Sequence, residues 1–191
     1  EQTVTRLQHL QILQNIDRVI TSSLDINLSL NFLSNELTRM PEVDAAAVLL
    51  LNPATMNLEY ACGQGFHTKH IASIQTRLGE GYAGRAILDH RIQTIVDTAD
   101  TGDRQHSRLV KEEGFTGYCV APMIVKGQVC GVLETYHRSA PPSSVEWDEF
   151  LNAVADQAAI AIDTSQMLEN LHRANDSLIM AYDATIEGWS H

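Results

Sequence analysis

The side chains with the most reactive chemistry in this chain are three cysteines and one closely spaced pair of histidines. Cys62, Cys119 and Cys130 follow no spacing that binds a metal, and two of them fall in apolar stretches that favour strands. We predict buried, unreactive thiols in a reducing compartment, the cytoplasm. His67 and His70 lie one helical turn apart, but no thiolate or carboxylate nearby completes a metal site. The sequence therefore predicts no catalytic residue, no metal and no cofactor.

Acidic side chains are concentrated in the polar stretch Asp97–Glu113. Carboxylates can act as general acids or bases, but charged runs such as Asp97–Asp103 and Glu112-Glu113 are usually solvated surface, and we expect that here. Because the stretch has few large apolar residues, we predict a long loop that is mobile without ligand and orders over a pocket when one binds. Tyr136-His137-Arg138 is interpreted as an exposed strand end.

The composition is that of a globular domain with its own core. The chain has 191 residues, of which 44% are hydrophobic, and a net charge of −11. This charge disfavours nucleic acid, which binds to clustered Lys and Arg. No apolar run approaches the roughly 20 residues of a membrane span, and no secretory signal is found. We expect a piece of a longer protein, because the chain begins without Met and ends within a helical pattern.

Two helices are predicted before the first strand. The first covers residues 1–22 and carries one apolar stripe, formed by Val4, Leu7, Leu10, Leu13, Ile16, Val19 and Ile20. The second begins at a cap formed by Asp25 or Asn27 and ends before Pro41. Its apolar face is expected to consist of Leu28, Phe32, Leu33 and Leu37.

The stretch Gly114–Arg138 predicts the β-hairpin around which the domain is built. Its strands are Tyr118–Val125 and Gln128–Tyr136, and Lys126-Gly127 forms the turn, where glycine tolerates a positive φ. A hairpin is not stable alone, so other strands and covering helices must complete a sheet. We expect strands at Val43–Leu51, Leu58–Cys62 and Ile92–Val96, and short helices at Thr68–Thr76 and Gly81–Asp89. Gly84 in the second short helix indicates close backbone packing.

A long helix, capped by Ser143 or Ser144, is predicted to run to about Thr185, because this stretch contains neither Gly nor Pro. In its second half, apolar residues recur in steps of three and four, the spacing of a two-stranded coiled coil. We predict a parallel homodimer whose interface contains Leu168, Leu171, Asn175, Leu178 and Tyr182. The first helix is expected to join it in a four-helix bundle. The alternative is that the two end helices pair only within one chain.

The order of these elements resembles the GAF domain, a sensory relative of the PAS domain. The similarity covers about Leu24–Ser165 and rests on four segments in the family's order, VDAAAVLLL, GEGYAGRAI, IVDTAD and APMIVKGQVCGVLETYH. It implies an α+β fold in which helices cover an antiparallel sheet, with long N- and C-terminal helices. Residues 1–22 would be a signalling and dimerisation helix, 23–143 the sensory core, and 144–191 a helix that continues as a linker to an output domain.

The resemblance also implies a ligand cavity on one face of the sheet, covered by the short helices and the loop before the hairpin. Its lining would be Phe66, His70, Tyr82, Ile95, Tyr118, Val120, Met123 and Glu134. Aromatic walls with a few polar groups are typical of small-molecule sites. A real ligand and a cavity filled by its own side chains both remain open.

Several ligand classes known for GAF domains find little support in the residues. The NKxxF…DE pattern of cyclic-nucleotide binders is absent, and residues 64–118 contain no cysteine that could attach a bilin. Haem stays open, because His67, His70, His90 and His106 fall in the covering layer. Free methionine-(R)-sulfoxide reductases with this fold use cysteines around the pocket, and the loop before the hairpin has none here.

The segment Ala181–Trp189, AYDATIEGW, resembles the linker that leads into HD-GYP domains of bacterial GAF-containing proteins. Those domains hydrolyse cyclic di-GMP, and this chain carries neither an HD pair nor a GYP motif. We therefore expect a non-catalytic sensory module that dimerises, binds a small molecule and controls a downstream output domain. The alternatives are a ligand-free dimerisation scaffold and, less favoured, the reductase.

Overall fold

The computed structural model describes residues 2–23, 25–96 and 104–189. Within these ranges, the helices are α1 (Gln2–Ser22), α2 (Ile26–Thr38), α3 (Gly81–Asp89), α4 (Arg104–Glu113) and α5 (Val145–Trp189). The strands are β1 (Ala45–Asn52), β2 (Asn57–Gln64), β3 (Gln75–Arg77), β4 (Gln93–Ile95), β5 (Gly117–Val125) and β6 (Gln128–His137).

The strands form one antiparallel sheet in the order β3-β2-β1-β6-β5-β4. The predicted hairpin is confirmed as β5 and β6. In its turn Lys126 has a φ of 52° and Gly127 a φ of 77°, and such left-handed values match the twist of paired strands. A bulge between Met123 and Ile124 directly follows Pro122, whose missing N–H is tolerated at such irregularities.

Helices α1, α2 and α5 cover one face of the sheet. Both predicted caps are confirmed, because the Asp25 side chain accepts hydrogen bonds from the first turn of α2 and the Ser144 hydroxyl accepts one from the Trp147 N–H at 3.1 Å. The core under these helices includes Ile16, Leu30, Leu33, Leu37, Leu133, Phe150, Leu151, Val154 and Ile162.

Helices α1 and α5 run side by side in the same direction. The His9 ring stacks on Phe150 near the start of α5, with centroids 4.1 Å apart. Further along, Ile20 borders the same groove as Leu168. Consequently the N-terminal end of α1 and the C-terminal end of α5 lie at opposite ends of the molecule.

The apolar stripe of α1 is only partly buried. Ile16 is completely buried, whereas Val4, Leu7 and Leu10 are more than half exposed. The predicted apolar stripe is thus packed against the core in the second half of the helix, where Ile16 is buried and Ile20 lies against the core.

One assignment on α2 was wrong. Leu28 is 62% exposed, while Leu30, Leu33 and Leu37 are buried. The buried face follows these three residues, and a helix turns by about 100° per residue, so Leu28 lies well away from Leu30 around the axis.

The opposite face of the sheet is covered by a layer that we call the roof, made of α3, α4 and a 3₁₀ turn at His70–Ser73. The predicted helix at Gly81–Asp89 is confirmed. The helix predicted at Thr68–Thr76 is wrong, because most of it is this single turn followed by β3. Strand β3 pairs with β2 at Asn57 and Arg77, so hydrogen bonds to a neighbouring strand override the local helical pattern.

The predicted long loop before the hairpin is wrong for residues 104–113, which form α4. This helix places His106, Leu109, Val110 and Glu113 on one buried face, at the spacing of an amphipathic helix. Because two of these four residues are polar, their helical spacing could not be recognised as an apolar face in the sequence. The rest of the predicted loop, residues 97–103, lies outside the described residues.

Helix α5 confirms the predicted long C-terminal helix and spans 45 residues. Its side chains are buried against the sheet as far as Ile162 and are largely exposed beyond it. Among the described helices, none combines the length and the apolar character needed to cross a bilayer.

Candidate functional site

Aromatic rings fill the space between the sheet and the roof. Tyr118 of β5 and Tyr136 of β6 stack with centroids 5.5 Å apart. Phe66 and Phe115 pack against Tyr136 at 5.3 and 5.0 Å, and Tyr82 of α3 meets Tyr118 edge-on at 6.1 Å. We call these five residues the aromatic cluster. Such pairs add stability beyond that of the area they bury.

Glu134 of β6 is a carboxylate buried beside this cluster, with no exposed surface. The Tyr136 hydroxyl donates to its Oε2 at 2.6 Å. His106 of α4 places Nε2 3.2 Å from Oε1 and stacks on Tyr118 at 5.9 Å. Glu134 thus connects the centre of the sheet to the roof.

Small residues on β1 make room for these rings. Ala45 lies directly opposite Tyr136, and Ala47 lies opposite Glu134. Side chains on one face of paired strands are close neighbours, so alanines here leave space that the rings of β6 and the roof occupy. Beside Phe66, a surface depression of about 380 Å³ is lined by Tyr60 and Ile71, among other residues.

Most of the predicted pocket residues share this face, namely Phe66, Tyr82, Ile95, Tyr118, Val120 and Glu134. Met123 does not, and packs instead in the core beneath α2 and α5. Side chains on a strand point alternately to its two faces. Because Tyr118 and Val120 face the roof, Met123 faces α2 and α5. His70 lies outside the aromatic cluster, with Nδ1 3.3 Å from the Glu112 carboxylate.

The sequence reasoning missed three side chains of this site, His106, Phe115 and Tyr136. Tyr136 could have been found by alternation, because it is two positions from Glu134 on the same strand. His106 was considered only as a haem ligand, because its stretch was interpreted as a loop. Phe115 follows α4 in the same misassigned segment.

Glu113, the last residue of α4, is also buried rather than solvated surface as predicted. Its carboxylate accepts hydrogen bonds from the N–H groups of His67 and Thr68, at 3.0 and 2.7 Å, and from the Thr68 hydroxyl at 2.8 Å. Burial acts to raise the pKa of Glu113, but these hydrogen bonds and the nearby His67 outweigh it, so the pKa is lowered. The end of α4 is thereby tied to the loop after β2.

The predicted exposed strand end at Tyr136-His137-Arg138 is wrong, because Tyr136 and His137 are buried. His137 Nδ1 contacts the Glu42 carbonyl, which can only accept, so the proton lies on Nδ1. Burial lowers the pKa of His137 and favours this neutral form. The Arg138 guanidinium packs over the Phe115 ring at 4.8 Å, and its backbone N–H donates to Asp44 at 2.6 Å.

The three cysteines are free thiols. Cys62 and Cys119 are buried, and burial raises the pKa of both, as it does that of half-buried Cys130. All three pack in or against the core beneath the helices, on the opposite side of the sheet from Glu134. Across the described residues, no group of three or more His, Cys, Asp or Glu side chains is arranged to hold a metal ion.

A family model described as the GAF domain matches residues 29–162. The chain belongs to the GAF family. This confirms the predicted membership and the predicted α+β fold. No curated protein matches the sequence.

Solved structures show the same GAF fold at low sequence identity. The GAF domain of a phosphoenolpyruvate-protein phosphotransferase from Coxiella burnetii has a TM-score of 0.73 at 17% identity, covering 86% of this chain and 98% of that one. A free methionine-R-sulfoxide reductase from Neisseria meningitidis, in complex with its substrate, has a TM-score of 0.72 at 16% identity, covering 86% and 93%. Residues 122 to 287 of a methyl-accepting chemotaxis protein reach 0.63 at 22% identity, covering 80% and 98%.

Membership places the chain in a family of sensory and regulatory domains. The same GAF fold carries an enzyme in N. meningitidis and forms part of a chemotaxis protein. A fold shared by such different proteins does not define function, so function must be argued from particular residues.

Proposed function

We propose that this GAF domain is a non-catalytic sensory and regulatory module that works as a parallel homodimer and passes its signal along α5 to an output domain. The observation that carries the proposal is the second half of α5. Beyond Ile162 the helix leaves the core and continues to Trp189. Along it, Leu171, Leu178 and Tyr182 are 68%, 69% and 69% exposed.

These side chains belong to what we call the α5 seam, Leu168, Leu171, Asn175, Leu178 and Tyr182. A helix this long gains little stability from propensity alone and needs an apolar face packed against a partner. Each leucine buried there contributes roughly 1.5 to 3 kcal/mol. A seven-residue period fits a second copy of the same helix, running parallel. In that arrangement Asn175 meets its own counterpart and fixes the register.

A groove at the base of the seam supports a wider contact. It has a volume of about 280 Å³, lies between α1, α2 and α5, and is lined by residues that include Ile20, Ile26, Ile160 and Leu168. We propose that the dimer interface continues into this groove, so that α1 lies beside the partner as well. The contact of α1 with α5 inside one chain is compatible with a four-helix bundle across the dimer.

The hairpin turn provides a physical link from the sheet to the seam. Lys126 Nζ lies 2.7 Å from the Asp163 carboxylate, at the point where α5 leaves the core. The same hairpin carries Glu134 between the sheet and the roof. We propose that a change at the roof shifts the hairpin and thereby the start of the free part of α5.

The output domain that we propose is a cyclic di-GMP phosphodiesterase of the HD-GYP type. The support is the resemblance of Ala181–Trp189 to the linker that precedes such domains. These residues form the last turns of α5, where a coiled coil would deliver its motion. The free, unpaired thiols of the domain suit a cytoplasmic location.

The competing function is that of a reductase, because a free methionine-R-sulfoxide reductase shares the fold. Such chemistry needs an accessible thiolate near the substrate. Here the cysteines lie across the sheet from the aromatic cluster, and burial raises their pKa, which argues for a non-catalytic domain. NADPH oxidation coupled through thioredoxin to free methionine sulfoxide would contradict the proposal.

Sedimentation tests the dimer. We expect the wild type to be a dimer at tens of micromolar, and the double variant Leu168→Asp plus Leu171→Asp to be a monomer, because it places four carboxylates in the seam. The matched control is Gln166→Asp plus Asn170→Asp. It adds the same charge to exposed positions of the same helix, off the seam, and should remain dimeric. A monomeric wild type, or a dimeric seam variant, would refute the proposal.

A further inference from the structure

The position of Glu134 calls for an explanation beyond packing. It lies on a central strand of the sheet, and its side chain is fully buried. Its partners are the Tyr136 hydroxyl and the His106 imidazole, and within the described part of the chain no Lys or Arg contacts it. A buried carboxylate costs several kcal/mol unless a cation or several donors compensate. A position that served only to fill space would be more stable with an apolar side chain.

The surroundings of Glu134 are those that attract an organic cation. Tyr118 and Tyr136 stack 18° from parallel, and the Phe115 ring packs on Tyr136 with centroids 5.0 Å apart. Aromatic faces attract cations, most strongly where water is excluded. A carboxylate at the edge of such rings supplies the charge and the hydrogen-bond acceptor that a cationic head group with N–H donors requires.

The His106 imidazole already occupies this position. It lies 18° from parallel to the Tyr118 ring, and its Nε2 is at hydrogen-bonding distance from Glu134. An imidazole ring is a flat organic base with N–H donors. Its contacts with Glu134 and Tyr118 are therefore those that a ligand head group of similar shape would form. His106 lies in the first turn of α4, whereas Glu113 anchors the last turn. Displacing the imidazole would therefore act on the first turn of α4, while Glu113 holds the last turn.

A surface depression approaches this position at Phe66. The ring of Phe66 borders the 380 Å³ surface depression and also packs edge-on against Tyr136 at 5.3 Å. The depression thus ends one ring away from the residues that hold Glu134.

We propose that Glu134, Tyr118 and Tyr136 form a binding site for a small organic cation with N–H donors, such as an ammonium, imidazolium or amidinium group, and that His106 fills it when no ligand is bound. The ligand class rests on the proposed sensory function and specifies it. Anionic ligands such as nucleotides are disfavoured, because their phosphates would approach the Glu134 carboxylate.

The test compares two probes of the same shape, benzylamine and benzyl alcohol, by calorimetric titration. We expect benzylamine to bind His106→Ala about tenfold or more tightly than the wild type, because no imidazole has to be displaced. Benzyl alcohol should bind neither protein measurably. Adding Glu134→Gln to His106→Ala should weaken benzylamine binding by about tenfold or more, because the charge-assisted hydrogen bond is lost.

The matched control is His106→Ala combined with Glu36→Gln. Glu36 is also a buried carboxylate, bonded to Arg39, but it lies on α2 across the sheet. This control should bind benzylamine as tightly as His106→Ala does. Equal binding of amine and alcohol, or amine binding that survives Glu134→Gln, would overturn the ligand class. Sedimentation of the same samples separates the two proposals. If the protein is a dimer but shows no calorimetric binding of benzylamine to His106→Ala, only the cation site is refuted.

Discussion

At the scale of single residues, Glu113 holds the roof to the rest of the domain. It accepts hydrogen bonds from His67 and Thr68 after β2, and its carboxylate lies 3.5 Å from Arg138 after β6. Three segments far apart in the sequence thus meet at one carboxylate. Leaving their donors without an acceptor in a buried site costs more than a surface ion pair contributes.

We predict that Glu113→Gln lowers the free energy of unfolding by about 2 to 3 kcal/mol at pH 7, because hydrogen bonds to a charged group are lost. A lowered pKa means that this carboxylate stabilises the fold above its unfolded-state pKa of about 4.3 and loses that effect as the pH falls through the folded-state value. The difference between variant and wild type should therefore shrink in acid.

Urea unfolding at pH 7 and at a pH well below 4 measures this difference, because the contribution is lost only below the lowered folded-state pKa. The control is Glu112→Gln on the preceding residue, whose carboxylate pairs with Arg108 at the surface and which should change stability far less. If both variants were equally destabilised, the buried anchor would be the wrong explanation.

The resemblance to the family placed part of the site correctly, on the strands and also at Phe66 and Tyr82 outside them. Tyr118, Val120 and Glu134 followed from family placement within the hairpin, and strict alternation would have removed Met123 and added Tyr136. Glu113 and His106 could not be placed, because a polar residue on a buried helix face looks in the sequence like a surface residue. Only the packing of α4 on the sheet distinguishes the two.

At the scale of elements, the sequence predicted those whose signals are local. The hairpin has a glycine turn between apolar runs, and α5 has a serine cap followed by a long stretch free of Gly and Pro. Strand β3 was missed because only three residues pair with β2, and no apolar alternation marks them. Helix α4 was missed because its buried face includes His106 and Glu113.

Gly84 in α3 provides a prediction at this scale. A Cβ at this position would lie 2.5 Å from the Gly79 backbone nitrogen, so the close backbone packing expected from the sequence is present. Alanine would favour the helix by about 1 kcal/mol. Overpacking against backbone costs roughly 1 to 3 kcal/mol, and backbone cannot rotate away as a side chain does. We therefore predict that Gly84→Ala destabilises the domain.

Thermal or urea unfolding shows whether Gly84→Ala lowers or raises the free energy of unfolding. Leu88→Ala in the same helix is the control, because Leu88 is 64% exposed and its truncation should matter little. A Gly84→Ala variant as stable as the wild type would mean that α3 can move away from the turn at Gly79.

At the scale of the whole molecule, the parallel course of α1 and α5 gives the domain two separate ends. A signal from a preceding segment would arrive through α1 at one end, and α5 leaves at the other, past the hairpin contact at Asp163. Between them, the sheet carries the aromatic cluster on the roof side. This arrangement is compatible with the proposed role, in which the seam of a dimer would pass a signal along α5.

The most direct test of this account is disulfide trapping along the seam. In a parallel, in-register dimer the two Leu171→Cys side chains face each other at the short Cα separation that a disulfide requires. Mild oxidation should convert this variant to a covalent dimer, while Asn170→Cys, one position off the seam, and the wild type should stay uncrosslinked. Equal crosslinking of the two variants, or none in either, would contradict the parallel dimer on which the proposed function rests.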